Sequence, residues 1–314
     1  MAIIGNDINS AKKILEQGDL VAIPTETVYG LAANALNEYA VAKIFETKNR
    51  PYFDPIIVHV SSLSSVQSYV HFIPEKAQQL AEKFWPGPLT ILLSKKDIIP
   101  DLVTAGLETV GIRCPDHPLT LTLLNSINFP LAAPSANPFG YVSPTEPQHV
   151  MDQLGEQIPY ILDGGVCSVG IESTIIGFED QQPVIYRMGG LSQEQIETEI
   201  GPVSVKTHSS SNPKAPGQLK THYAPGKKVI IGEIETNCST YKQANVGILS
   251  FQKDYEAEYQ YILSPSGDLN IAAQRFFKGL RTLDKMPIDI ILTEFVPDYG
   301  LGRAINDKLR RAAS

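Results

Sequence analysis

The chain has 314 residues, enough for two domains that each bury a core, and its 26 basic against 34 acidic residues leave a net charge of −8. Apolar residues are 43% and charged residues 19%, which excludes a chain disordered throughout and argues against a fibrous one. The negative balance lacks the overall pull on phosphate backbones that nucleic-acid binders show, and the three scattered cysteines, with no CxxC, suit neither a disulfide framework nor a Cys-rich zinc site.

No apolar run approaches the ~20 residues of a membrane helix. The start, MAIIGNDINSAKKILEQGD, does not read as a secretory leader, and a reducing cytoplasm is the expected location.

In chain order, short β-type runs alternate with helical patterns, the signature of an α/β domain. Leu20 to Ile23 reads as a strand stopped by Pro24, and Glu38 to Thr47 as a helix with Val41, Ile44 and Phe45 on one face. Ile56 to Val60 is a strand, and Pro74 to Phe84 a helix with proline in its first turn. Leu89 to Leu93, Val110 to Arg113 and Leu131 to Ala133 are further strands. Thr174 to Phe178 and Val184 to Arg187 form a hairpin, and Gln193 to Ile200 is a helix ended by Gly201-Pro202.

Residues 202–228 then turn polar, with Lys206, Lys214, Lys220, Lys227 and Lys228 and no acid, and no helix or strand is expected there. This is either a solvated linker or a basic flap over an anionic ligand. Beyond it, Val229 to Ile231, Val246 to Phe251 and Ile288 to Thr293 are strands. Asp268 caps a helix running to Leu283, and Arg303 to Ala313 is a basic terminal helix. The expected division is 1–201, a linker or flap at 202–228, and a smaller α/β domain at 229–314.

No GxxxxGK[ST], HExxH or GxSxG occurs, and Gly300-Leu301-Gly302 is only part of a dinucleotide fingerprint. Chemistry is instead spread over separate clusters. Pro24-Thr25-Glu26-Thr27-Val28-Tyr29-Gly30 follows a strand and reads as an entry into a helix, either a ligand site or a cap by Thr25 or Thr27. Lys48-Asn49-Arg50-Pro51 suits a phosphate clamp or a charged turn. His59 lies inside an apolar strand, where a histidine is usually a satisfied core residue. Arg113 ends a strand, and Ser135, Asn137 and Ser143 stand on proline-bracketed loops, as anion ligands or as turn formers. Asp163-Gly164-Gly165, Ser173 and Arg187 complete the set, as backbone amides and side chains for an anion or as a tight turn before the hairpin. No serine or cysteine has the company a nucleophile needs, so the residues point to alignment and charge neutralisation.

The ordered motifs PTETVYGL (24–31), KNRP (48–51), IVHV (57–60), WPGPLT (85–90), VGIRCP (110–115), PSAN (134–137), SPT (143–145) and GIESTI (170–175) resemble the YrdC-like family. KTHYAPG (220–226) and GLGRAINDKLRRAA (300–313) resemble its longer, two-domain threonylcarbamoyl-AMP synthases. The resemblance implies a YrdC-like twisted mixed sheet with an open concave site, plus a smaller Rossmann-like α/β C-terminal domain. It also implies a nucleotidyltransferase reaction: L-threonine, bicarbonate or carbon dioxide, and ATP give threonylcarbamoyl-AMP and pyrophosphate, for tRNA threonylcarbamoyladenosine. By matching positions, Thr27, His59, Arg113 and Ser173 would hold threonine. Lys48, Arg50, Thr109, Ser135, Asn137, Ser143, Arg187 and Tyr223 would hold ATP, with His222 and Tyr223 on a flap. Mg²⁺ would accompany ATP, on ligands the sequence does not identify. The product would pass to tRNA-modifying proteins, without stable nucleic-acid binding or membrane contact.

Where family members often carry Asn, this chain has Asp54, which would repel a triphosphate unless turned away or metal-bound. The competing readings are a double-stranded-RNA-binding module and a related carbamoyl-transferring enzyme. Against the latter stands the absence of a Cys-rich zinc finger and an acylphosphatase-like sequence.

Overall fold

The computed structural model describes residues 1–207, 213–217 and 222–314. Lys220 and the serine run 209–211 lie outside the described residues. Among those described, one mixed sheet of eleven strands and one parallel sheet of four carry the fold.

The large sheet runs, edge to edge, through Ile3–Gly5, Tyr160–Leu162, Val21–Ile23, Gly30–Asn34, Leu131–Ala132, Val58–His59, Thr109–Arg113, Leu89–Ser94, Thr174–Glu179, Gln182–Arg187 and Ser204–Val205. Leu89–Ser94 and Thr174–Glu179 are buried for most of their length and read as near-continuous apolar runs. The expected hairpin is present, pairing Val184 with Gly177. The helix Gln193–Ile200 starts on a capping box, in which Ser192 accepts from Gln195 N while the Gln195 side chain accepts from Ser192 N. Such a cap contributes about 1 kcal/mol.

The sequence expectations need correction in several places. The segment after Ile23 does not enter a helix. It turns and returns as the strand Gly30–Asn34, antiparallel to Val21–Ile23. A Cβ at Gly30 would stand 3.2 Å from the Ala133 methyl, so a side chain there would crowd it. Pro74 caps its helix rather than opening it. The polar segment does contain a strand, Ser204–Val205, which joins the large sheet beside Gln182–Arg187.

The small sheet orders Lys228–Ile231, Ile290–Thr293, Val246–Ser250 and Gln260–Ile262, all parallel. The helix Leu269–Asp284 begins at Asp268, whose side chain accepts from Asn270 N at 2.7 Å. Its apolar face, including Phe276 and Phe277, joins a core that also takes in Val142, Ile171 and Tyr223 from earlier in the chain. The second unit is therefore packed against the loops of the first. No helix among the described residues is long and apolar enough to cross a membrane.

Candidate active site

Adjacent strands of the large sheet, from Val58–His59 to Gln182–Arg187, build the site. His59 and Arg113 are register partners on adjacent parallel strands, so both side chains leave the same face side by side. Thr90, on the strand Leu89–Ser94, and Ser173, just before the strand Thr174–Glu179, share a hydrogen bond of 2.8 Å. Arg187 arrives at the end of the hairpin. His59, Arg113, Ser173 and Arg187 open onto a cavity lined also by Thr25, Arg50, Ser135, Glu172, His222 and Tyr223.

Of the residues expected to bind, His59, Arg113, Ser173, Arg50, Ser135, Arg187, His222 and Tyr223 line this cavity. Thr27 does not; Thr25 does. The Thr25 hydroxyl donates to the Val28 carbonyl at 2.7 Å and accepts from the amides of Thr27 and Val28. With its proton so used, it accepts from the Thr27 hydroxyl at 2.8 Å. Thr27 thus braces the turn from behind.

Lys48 also stands behind the wall. Its Nζ donates to the Ser135 carbonyl at 2.6 Å and to the Asn137 carbonyl, holding the loop that presents Ser135. Burial pushes this ammonium well below the usual lysine range, with Arg50 adding repulsion. Asn137 ties the same loop together through the Pro138 and Tyr141 carbonyls. Ser143 donates to Glu172 Oε1 at 2.5 Å. Thr109 lies apart, on a small neighbouring hollow with Thr104, Lys214 and Pro216.

The cations are embedded. Arg50 donates from Nε to the Asp54 carbonyl at 3.1 Å and from Nη2 to the Pro55 carbonyl at 2.7 Å. Asp54 Oδ2 sits 3.0 Å from Nη2, fully buried and off the cavity wall, so it neutralises Arg50 from behind. Arg113 Nη2 sits 2.7 Å from Glu26 Oε2, both residues 4% exposed. His59 is pushed down to about 3 by burial and by Arg113, so its ring is neutral at ordinary pH.

Buried side-chain polar atoms without a hydrogen-bond partner line this region: His59 Nδ1, Arg113 Nε, Glu172 Oε2 and His222 Nδ1. Folded proteins rarely leave such groups unsatisfied, and on a cavity wall they mark where a polar ligand docks. The nearby thiols are not reactive, since burial raises Cys114 to about 11 and Cys167 further.

Two expectations about anion binding change. Gly164 N donates to the Tyr29 hydroxyl and Gly165 N to Asp163, so the Asp163-Gly164-Gly165 amides serve a turn. Lys206 and Lys214 pair with Glu179 at 2.5 and 2.8 Å on the outer surface. The linker reaches the cavity through Pro216, Gly217, His222 and Tyr223 instead. Sequence reasoning missed Glu26 and Glu172 as the acids of the site. Their positions inside PTETVYG and GIESTI were the available signal. It also missed Lys308, fully buried beside Glu172.

Residues 13–189 match a family model of Sua5, YciO and YrdC described as Telomere recombination, and residues 191–314 match one described as Threonylcarbamoyl-AMP synthase, C-terminal domain. A threonylcarbamoyl-AMP synthase of Bacillus subtilis is 42% identical over 98% of this chain and 92% of its own length. One of Pyrococcus abyssi is 40% identical over 98% and 94%. The crystal structure of P. abyssi Sua5 complexed with L-threonine superimposes with a TM-score of 0.95 at 39% identity, covering 100% of this chain and 97% of that one.

Proposed function

The chain belongs to the threonylcarbamoyl-AMP synthase family, in its two-domain form, and we propose from its cavity how it makes that product. The protein is a threonine-dependent synthase of L-threonylcarbamoyladenylate, which serves tRNA modification. ATP and bicarbonate are its other substrates, and pyrophosphate leaves. Bicarbonate takes up a proton and gives CO₂ and water; the threonine ammonium loses one proton before its nitrogen bonds to the CO₂ carbon and a second after, leaving a carbamate. A carbamate oxygen then bonds to the α-phosphorus as the bond to the β-phosphate oxygen breaks.

Such a step is mostly alignment and charge cancellation. The observation that carries the residue assignment is the in-register pair His59 and Arg113, with unsatisfied nitrogens on the same cavity as Arg50 and Arg187. The Arg113 fork suits the threonine carboxylate. His59, neutral, contributes a hydrogen bond without adding repulsion to the threonine ammonium. Ser173 accepts from Arg187 Nη2 and neighbours Thr90, so it orients rather than attacks. Arg50, Ser135, Arg187 and Tyr223 are assigned to ATP, with Lys48, Asn137 and Ser143 shaping that half from behind. His222 and Tyr223 cover the cavity and limit water, protecting a labile mixed anhydride.

No cluster of three or more His, Cys, Asp or Glu among the described residues is arranged to hold a metal ion. Mg²⁺ is proposed to arrive on the ATP phosphates, where it would neutralise charge on the leaving group. A cytoplasmic location fits a tRNA-related substrate supply.

The test is pyrophosphate release with threonine, bicarbonate or ATP omitted in turn. Release requiring all three is expected, and Arg113→Ala is expected to lose the threonine-dependent part. Release that persists without threonine would remove the assignment.

A further inference from the structure

We propose that Lys308, on the last helix of the second domain, is a positioning residue for the site in the first, fixing Glu172 and the Tyr223 ring in the cavity wall. Lys308 is 0% exposed. Its Nζ donates to the Met188 carbonyl at 2.9 Å, sits 3.5 Å from Glu172 Oε2, and lies 5.4 Å from the centre of the Tyr223 ring. These partners all precede the small sheet in the chain. A buried ammonium is costly unless paired, and nothing within the second domain needs this one. The neighbouring acid, Asp307, is already taken by Arg311 at 2.9 Å.

Glu172 is the acid that lines the cavity. Ser143 occupies its Oε1, and its Oε2 accepts no hydrogen bond. Lys308 is its ion-pair partner within 4 Å among the described residues. Arg281, also from the second domain, holds the same wall through the Val142 and Ser143 carbonyls, without touching a cavity side chain. Among the described residues, Lys308 is the second-domain side chain that forms an ion pair with a side chain lining the cavity. With Lys308 gone, the buried Glu172 carboxylate loses its ion-pair partner beside the residues assigned to ATP, and Tyr223 loses the cation against its face.

The inference rests on the ATP assignment above. The test is a double-mutant cycle on the full chain, with Mg²⁺-ATP binding by calorimetry and steady-state pyrophosphate release as readouts. Lys308→Met is expected to weaken ATP binding and raise its KM at least tenfold, with kcat changed less than threefold. Adding Glu172→Gln removes the stranded charge. The double variant is expected to bind ATP more tightly than Lys308→Met, a rescue that a packing role would not give. Unchanged ATP binding in Lys308→Met, or equal weakening in the single and double variants, overturns the proposal. If Lys308→Met does not fold, the double variant is expected to fold; failure of both assigns Lys308 to packing and overturns it too. A wild-type chain that binds no ATP would instead overturn the reading of the cavity.

Discussion

Arg187 holds Ser173 twice, its Nε donating to the Ser173 carbonyl at 3.0 Å and its Nη2 to the Ser173 hydroxyl at 2.9 Å. The serine hydroxyl is thereby turned toward the cavity with its acceptor side partly used. A lysine at this position keeps the charge but cannot span both oxygens. Arg187→Lys is expected to lower kcat/KM for pyrophosphate release about tenfold, and Arg187→Ala about a hundredfold, as charged hydrogen bonds worth ~1.5–3 kcal/mol each are lost. Equal activity of Arg187→Lys and wild type would show that the charge alone matters.

The contact between Arg113 and Glu26 is a buried ion pair, and breaking it from one side strands the other. Arg113→Ala is expected to cost ~3–5 kcal/mol of stability in urea denaturation. Adding Glu26→Gln should return a large part of that loss. Threonine-dependent turnover should stay absent in both variants, which separates the stability role of the pair from the binding role of the guanidinium.

The buried His59 ring gives a pH dependence of defined sign. Unfolded, it takes up a proton near pH 6.5; folded, it resists until about 3. The unfolded chain therefore binds more protons as pH falls, and the stability that is full above 6.5 drains away toward 3. The urea midpoint of His59→Gln is expected to fall less between pH 7 and pH 4 than that of wild type. His149, pushed down to about 4 mainly by burial, acts in the same direction and remains in both proteins. Parallel curves would show that His59 does not titrate as its surroundings dictate.

Glu179 gathers Lys206 and Lys214 on the outer surface, away from the cavity. Exposed pairs of this kind contribute ~0–1 kcal/mol. Glu179→Ala is expected to leave the KM for ATP unchanged and the urea midpoint nearly so. A raised KM would return these lysines to the nucleotide.

Much of the fold was legible from short-range pattern. The hairpin around Gly177 and Val184, the helix from Gln193 to Gly201-Pro202 and the Asp268 cap depend on neighbours a few residues away, and they stand where periodicity and end signals put them. Gly30–Asn34 was not legible. Its run of Gly, Leu and Ala, buried for most of its length, shows neither alternation nor β-branched residues. Ser204–Val205 was hidden because a two-residue exposed strand owes its existence to the partner it pairs with.

The amino-acid order determined which chemical groups the chain possesses and most of its local elements, because propensity, capping and hydrophobic period act over one or two turns. It also supplied the ordered motifs that mark the family. Only the tertiary structure decided which groups share a cavity: Thr25 in front of Thr27, Arg50 with Asp54 behind it, and Lys308 brought against Glu172 from the far end of the chain. The physical reason is that a side chain's charge, hydration and reach depend on strand register and on what is packed against it, and both are set by contacts between segments distant in sequence.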